Sequence, residues 1–354
     1  MTSEHPGNDV PGDVPSMVDW ELAISIGSKL AGEGPVVTRA EADEVVAELR
    51  ADADHSTGLV RDFTGLSAPD HTAPVLVVDR PGWVRANAEG FQVATGPMMR
   101  KLSDKRVPKG IAHAVGSKVT GAEVGGLLGF LAGKVLGQFD PFYEPSGRLL
   151  LVAPNIVHVE RELDVDPTDF RLWVCLHEET HRVQFTAVPW MRDHLFSEIE
   201  AISDTLEPSS FLEGGLERIT EAVRNSRKGS LVDMFSTPEQ REILDRVTGM
   251  MSLLEGHADV VMDDVGPQVI GSVKEIRAKF TKRRQGVGTL DRLLRRLLGL
   301  EAKMAQYRDG ARFVRAVVDK VGMDEFNAVW AEPAHLPSKA ELSDHDGWIR
   351  RVLG

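Results

Sequence analysis

The chain is nearly devoid of cysteine and tyrosine, with one Cys (Cys175) and two Tyr among 354 residues. A lone thiol cannot form an intrachain disulfide, so packing alone must hold the fold, and a reducing compartment is expected. Positive charge is in deficit. Forty-one Lys and Arg face 54 Asp and Glu, a net −13, so nucleic acid is not expected as a partner, because phosphate binding calls for a basic surface. Residues 1–17 have neither a basic n-region nor an apolar h-region. They are expected to form a disordered tail, and the protein to be cytoplasmic.

Long apolar runs are also missing. Gly121, Gly125, Gly129, Gly133 and Gly137 recur every four residues, which strips one helix face of side chains and invites close backbone approach. Only ten uncharged residues separate Glu123 from Lys134, about half of what a membrane span needs. The expectation is a tightly packed core helix and no membrane span.

What is present is a 42% hydrophobic chain, enough for a sizeable core. The pattern is mainly α (an α+β chain), with little strand. Thr38 and Glu41 suggest a capping box opening a helix at Arg39. Ala73 to Asp79 reads as a short strand running into a turn at Pro81-Gly82. Leu149 to Val159 reads as an edge strand with a bulge at Pro154-Asn155. Residues 18–354 are expected to form one domain, which the length allows to divide into two lobes, about 18–190 and 191–354.

Asp166-Pro167-Thr168-Asp169 is a helix start: an N-cap, a proline at the first position and an acidic first turn. The helix it opens carries His177-Glu178-Glu179-Thr180-His181, an H-E-x-x-H motif. Histidines at i and i+4 share one face and can grip one zinc ion, with Glu178 placed as general base toward a water. Zinc brings the pKa of such a water to around 7. Glu179 and Arg182 depart from stricter patterns of this kind, which favour uncharged residues there.

A catalytic zinc needs a third protein ligand. Glu200 lies 19 residues beyond His181 and starts one E-x-x-x-D stretch; Glu255-Gly256-His257-Ala258-Asp259 is another. Glu255 is favoured, because Met250-Met251-Ser252-Leu253-Leu254 would bury it and a buried carboxylate needs a partner. Glu200 and His257 remain alternatives. On a helix Asp259 shares the face of Glu255 and can support a ligand histidine, whereas His257 points elsewhere. Tyr307 is a candidate oxyanion donor, with His257 a second. Asn155, on the expected edge strand, is a candidate for binding substrate backbone by strand addition. Lys274 to Arg296 holds nine basic residues against Glu275 and Asp291; a solvated segment leading into an amphipathic helix is favoured over a polyanion-binding patch.

Several segments together resemble one bacterial family: Val18-Asp19-Trp20, Val78 to Val84, Leu151 to Asn155, the H-E-x-x-H with Gln184-Phe185 and Val188-Pro189-Trp190, Glu255-Gly256-His257-Ala258, and Gln306-Tyr307 with Gly310 and Phe313. It comprises zincin-like zinc metalloproteases or hydrolases, often labelled as associated with deazaflavin-coenzyme biosynthesis. The likeness runs from about Val18 to Val352. It implies a zincin-like fold with a small sheet beside the motif helix, His177 and His181 as ligands, and Glu178 as the catalytic carboxylate. It also favours the Glu255 segment as the third-ligand source. The expectation is a zinc-dependent hydrolase acting on a peptide or protein, with the zinc between the two lobes. The alternatives are a non-peptidic amidase and a metal-binding scaffold without turnover.

Overall fold

Capping chemistry sets the helix ends in the computed structural model, which describes residues 17–69, 73–104, 111–205, 237–285 and 300–354. In chain order the elements begin α1 (Trp20–Leu30), α2 (Arg39–Thr64), β1 (Val75–Val78), α3 (Arg80–Asp104), α4 (Ile111–Ala132), β2 (Gly137–Asp140), β3 (Arg148–Val152) and α5 (Ala153–Leu163). They continue with α6 (Pro167–Ala187), α7 (Met191–Thr205), α8 (Pro238–Asp264), α9 (Gly266–Val269), α10 (Val273–Gln285), α11 (Leu300–Val321), α12 (Met323–Phe326) and α13 (His345–Val352). The chain is mostly helical with one small sheet. Among the described residues, no helix is long and apolar enough to cross a membrane.

Thr38 caps α2 by accepting from the N–H of Glu41 at 3.2 Å, while the Glu41 carboxylate takes Arg161 rather than reaching back to the cap. Asp166 caps α6 by accepting from the N–H of Asp169 at 2.9 Å, with Pro167 at the first position as its sequence suggests. Pro81-Gly82 is a helix start, not a turn: Asp79 accepts from the N–H of Gly82 at 2.7 Å, and α3 begins at Arg80. Proline tolerates a first helical turn because its missing donor is not needed there.

The sheet has the order β1-β3-β2, with β1 parallel and β2 antiparallel to β3. This corrects the reading of Leu149 to Val159. Only the first part is strand, it is central and buried along its length, and the chain turns helical at Ala153 with Pro154 in the first turn. A continuous apolar run is what a strand covered on both faces requires. The edge strand near the motif helix is β2.

The glycine face of α4 packs on α1. A Cβ at Gly121, Gly125 or Gly129 would stand 2.5–2.8 Å from the backbone oxygens of Asp19, Ala23 and Gly27, respectively. The main core joins α2, α5, α6, α8 and α11 through Val45, Ile156, Phe170, Leu253 and Phe313, among others.

Charge is buried between α2, α5 and α6. Arg171 donates to both oxygens of Glu160 (3.0 and 2.7 Å) and to Glu48. Asp52 of α2 sits beside this group, its Oδ2 buried without a hydrogen-bond partner among the described residues. Burial first, then Glu48, raise its carboxyl to about 6, against the pull of Arg171. Its pKa in the fold thus lies above the unfolded value, so the folded state loses stability as pH climbs through that range. Replacing Asp52 by Asn is expected to stabilise the protein at pH 8 by on the order of 1 kcal/mol after allowing for solvent screening. Chemical denaturation at pH 8 and pH 4 checks this: the gain should nearly vanish at pH 4, and an equal gain at both would show that ionisation is not its source.

Candidate metal site

Helix α6 carries the motif on a well-buried body. Phe170, Val174, Cys175, Leu176 and Val183 face the core, so the polar residues left over must point into a cleft or find partners. Glu179 and Arg182 find each other: Arg182 Nε donates to Glu179 at 2.7 Å, and the hydroxyl of Thr57 on α2 donates to the same oxygen at 3.1 Å. The two charges that depart from stricter motifs neutralise one another on the far side of the helix.

His177 and His181 project from the other face, their rings 4.9 Å apart and nearly perpendicular. Their Nε2 atoms lie 3.8 and 3.7 Å from the same oxygen, Oε2 of Glu255 on α8. One ligand atom from each of the three residues falls within 4.8 Å of the others. A tetrahedral ion bonded at 2.0–2.1 Å separates its ligands by roughly 3.3 Å; the observed gaps are therefore near the width of a bound cation and too long for hydrogen bonds. The donor set, two imidazoles and a carboxylate, is one that can hold a divalent metal ion.

Glu178 lies beside the triad and is 9% exposed. Burial first, then Glu255 and Glu179, lift its carboxyl to about 8; all three effects act in the same direction. Two carboxylates thus lie close together beside the histidine pair, an arrangement that a divalent cation would relieve. Gly137 of β2 presses on this side chain. A Cβ there would sit 2.5 Å from Cγ and 2.7 Å from Cδ of Glu178.

Glu255 reaches the site because α8 and α11 nearly touch. A Cβ on Gly256 would overlap the backbone of Gly310 and Ala311, and one on Gly310 would overlap Ser252. Such contact is possible only with glycine on both helices.

The other expected site residues are placed as follows. Glu200 stands exposed on α7 and is not part of the triad. His257 is 0% exposed; its Nδ1 meets Gln184 at 2.9 Å, and its ring packs against Phe326 and Trp330. Burial, helped by His181, drops its pKa to about 3. It is therefore a neutral residue that lies outside the three-residue cluster. Asp259 is partly exposed, one turn beyond Glu255, and pairs with Arg277 at 3.7 Å. Asn155 is 1% exposed. It donates to the carbonyls of Ala132 (2.7 Å) and Val135 (2.6 Å) and accepts from Arg80 (2.7 Å), so the amide is fully used in closing α4 rather than open to substrate. Tyr307 falls on α11, but its side chain lies outside the described residues. So does much of the basic segment, residues 286–299. In its helical part, Arg277, Lys279 and Arg283 are ion-paired with Asp263, Glu275 and Glu162. Sequence reasoning missed Gln184, whose side chain bridges α6 and α8.

The family described as zincin-like metallopeptidase matches residues 18–349. The chain belongs to that family. It is also similar to a crystal structure described as "a putative hydrolase with a novel fold" from Chloroflexus aurantiacus, at 32% identity and a TM-score of 0.71, covering 94% of this chain and 98% of that one. No curated protein matches. Neither description mentions a deazaflavin coenzyme. Membership supports a hydrolase of the zincin type that carries a metal ion.

If the glycine contact sets the position of Glu255, Gly256→Ala must force α8 away from α11. A loss of about 1–3 kcal/mol in denaturant unfolding is expected, together with weaker metal binding. An unchanged unfolding midpoint would show that the two helices have room to separate.

Proposed function

We propose that this zincin-like protein is a zinc-dependent peptidase, with His177, His181 and Glu255 as the metal ligands and Glu178 as the general base. The observation that carries the reading is the convergence of both Nε2 atoms on one oxygen of Glu255, beside the buried carboxyl of Glu178. Zinc bound there would supply a Lewis acid that polarises a carbonyl and acidifies water. A cation at the triad would also offset the charge of Glu255, drawing Glu178 back toward the ionised form that a base needs. Glu178 would then take a proton from the attacking water and pass it to the departing amine. Asp259, one turn along α8 from Glu255, is the proposed support for a ligand histidine. Tyr307 is the proposed oxyanion donor.

The sheet edge favours a peptide substrate. Val152 N–H donates to the carbonyl of Leu136 at 2.8 Å, and the register pairs Gly137 with Leu151 and Phe139 with Leu149. Antiparallel pairs alternate, so Leu136, Gln138 and Asp140 bond to β3, while Gly137 and Phe139 turn their N–H and C=O groups away from it. An extended peptide adding to that edge would lie alongside Glu178, which Gly137 touches. Strand addition thereby moves from Asn155 to β2.

Purified wild-type protein is expected to hold one zinc per chain by elemental analysis. His177→Ala should lose it, and Glu178→Gln should keep it while cleavage of a mixed peptide library drops by about 10²–10⁴-fold. Equal metal content in wild type and His177→Ala would sink the ligand assignment. Full cleavage by Glu178→Gln would remove the base, and zinc binding with no peptide cut would favour a scaffold or a non-peptidic amidase. Gly137→Val is expected to retain zinc yet lose cleavage at least tenfold, since its side chain takes the space of Glu178; unaltered kcat/KM would separate β2 from the reaction.

A further inference from the structure

Gln184 stands three residues after His181 on α6 and is 0% exposed. Its amide is saturated. Oε1 meets Nδ1 of His181 at 3.0 Å, and Nε2 meets both the carbonyl of Leu254 (2.9 Å) and Nδ1 of His257 (2.9 Å). The roles in this network follow by elimination. A backbone carbonyl only accepts, so the amide nitrogen must be the atom that faces Leu254. The amide oxygen then faces His181, and since an amide oxygen only accepts, Nδ1 of His181 must carry the proton. The lone pair of that imidazole is left on Nε2, the atom 3.7 Å from Glu255.

The same amide also ties two helices together. Leu254 immediately precedes Glu255, so the bond to its carbonyl holds the Glu255 turn of α8 against the His181 turn of α6. His257 completes the seat: its Nδ1 accepts the second amide N–H, and its ring is walled by Phe326 and Trp330. A buried glutamine with only a packing role would need no such orientation toward a ligand ring.

We propose that Gln184 is a positioning residue of the metal site, which locks His181 in the tautomer that presents Nε2 to a cation and fixes the height of Glu255 on α8. The proposal rests on the metal reading given above for its purpose, though the lock itself is a property of the metal-free protein. Partners of this kind behind a ligand typically govern metal affinity by 10–100-fold.

The test uses full-length protein labelled with ¹⁵N-histidine, freed of metal, with His181 assigned through a His181→Asn variant. Two-bond imidazole correlations should show His181 as the Nδ1–H form in wild type and as a mixture or the Nε2–H form in Gln184→Met. Chelator competition with zinc alone should show Gln184→Met weakened about 10–100-fold while its circular dichroism stays native. Unchanged tautomer and unchanged zinc affinity in Gln184→Met would overturn the proposal. Should Gln184→Met fail to fold, Gln184→Glu decides: its carboxylate still accepts from Nδ1–H but cannot donate to Leu254. His181 should keep its tautomer while zinc binding weakens, and loss of the tautomer or wild-type affinity would overturn the lock or the clamp, respectively. A wild type that binds no zinc would fail the metal reading, and the metal-free spectra would still judge the lock.

Discussion

The site depends on one steric fact: α8 can lie where it does only because Gly256 and Gly310 let it sit against the backbone of α11. Packed helices ordinarily keep 8–10 Å between axes, a distance set by the side chains at the contact. Removing the side chain from both partners lowers that distance and sets the position of the residue just before Gly256, Glu255. Two histidines four apart on α6 are a local feature that any helix can provide. The third residue of the cluster, Glu255, comes from more than seventy positions away, and its placement is a tertiary problem that the glycine pair and the Gln184–Leu254 hydrogen bond solve together.

Electrostatics divides α6 into two faces. On one, buried charge is matched: Arg171 with Glu160 and Glu48, Arg182 with Glu179. Such pairs add little net stability, because desolvation offsets most of their attraction, but removing one partner is costly. On the other face Glu178 feels burial and two negative neighbours, all raising its pKa. Glu178 thus lies in surroundings that favour its neutral form, which a cation bound nearby would reverse.

Much of this was legible in the sequence because it is local. The cap at Asp166, the proline at the first position, the i and i+4 histidines and the buried run before Glu255 each follow from short-range rules. The readings that failed concern context. Leu149 to Val159 is uniformly apolar, and no periodicity distinguishes a buried strand from the buried face of the helix that follows it. Proline at 154 suggests an interrupted strand but opens α5, and proline at 81 suggests a turn but opens α3; in both cases proline marks a boundary but not its sense. Asn155 followed the strand into error. Gln184 could not be found from composition, since a glutamine becomes informative only when its three hydrogen-bond partners are known, two of them on another helix.

The glycine series shows the same limit from another side. Spacing by four argued for a bare helix face, and Gly121, Gly125 and Gly129 form one against α1. The helix stops at Ala132, however, and no described residue lies within 4 Å of where a Cβ on Gly133 would stand. Gly137 continues the arithmetic but not the structure: it begins β2, and its missing side chain makes room for Glu178 instead of for α1. A regular spacing therefore covers two separate demands, helix packing at one end and access to a carboxylate at the other. The two differ in what would have to give. A larger residue in α4 meets the backbone of a neighbouring helix. At 137 it meets the Glu178 carboxyl itself, held on one side by a sheet whose register is fixed by β3 and on the other by the buried body of α6.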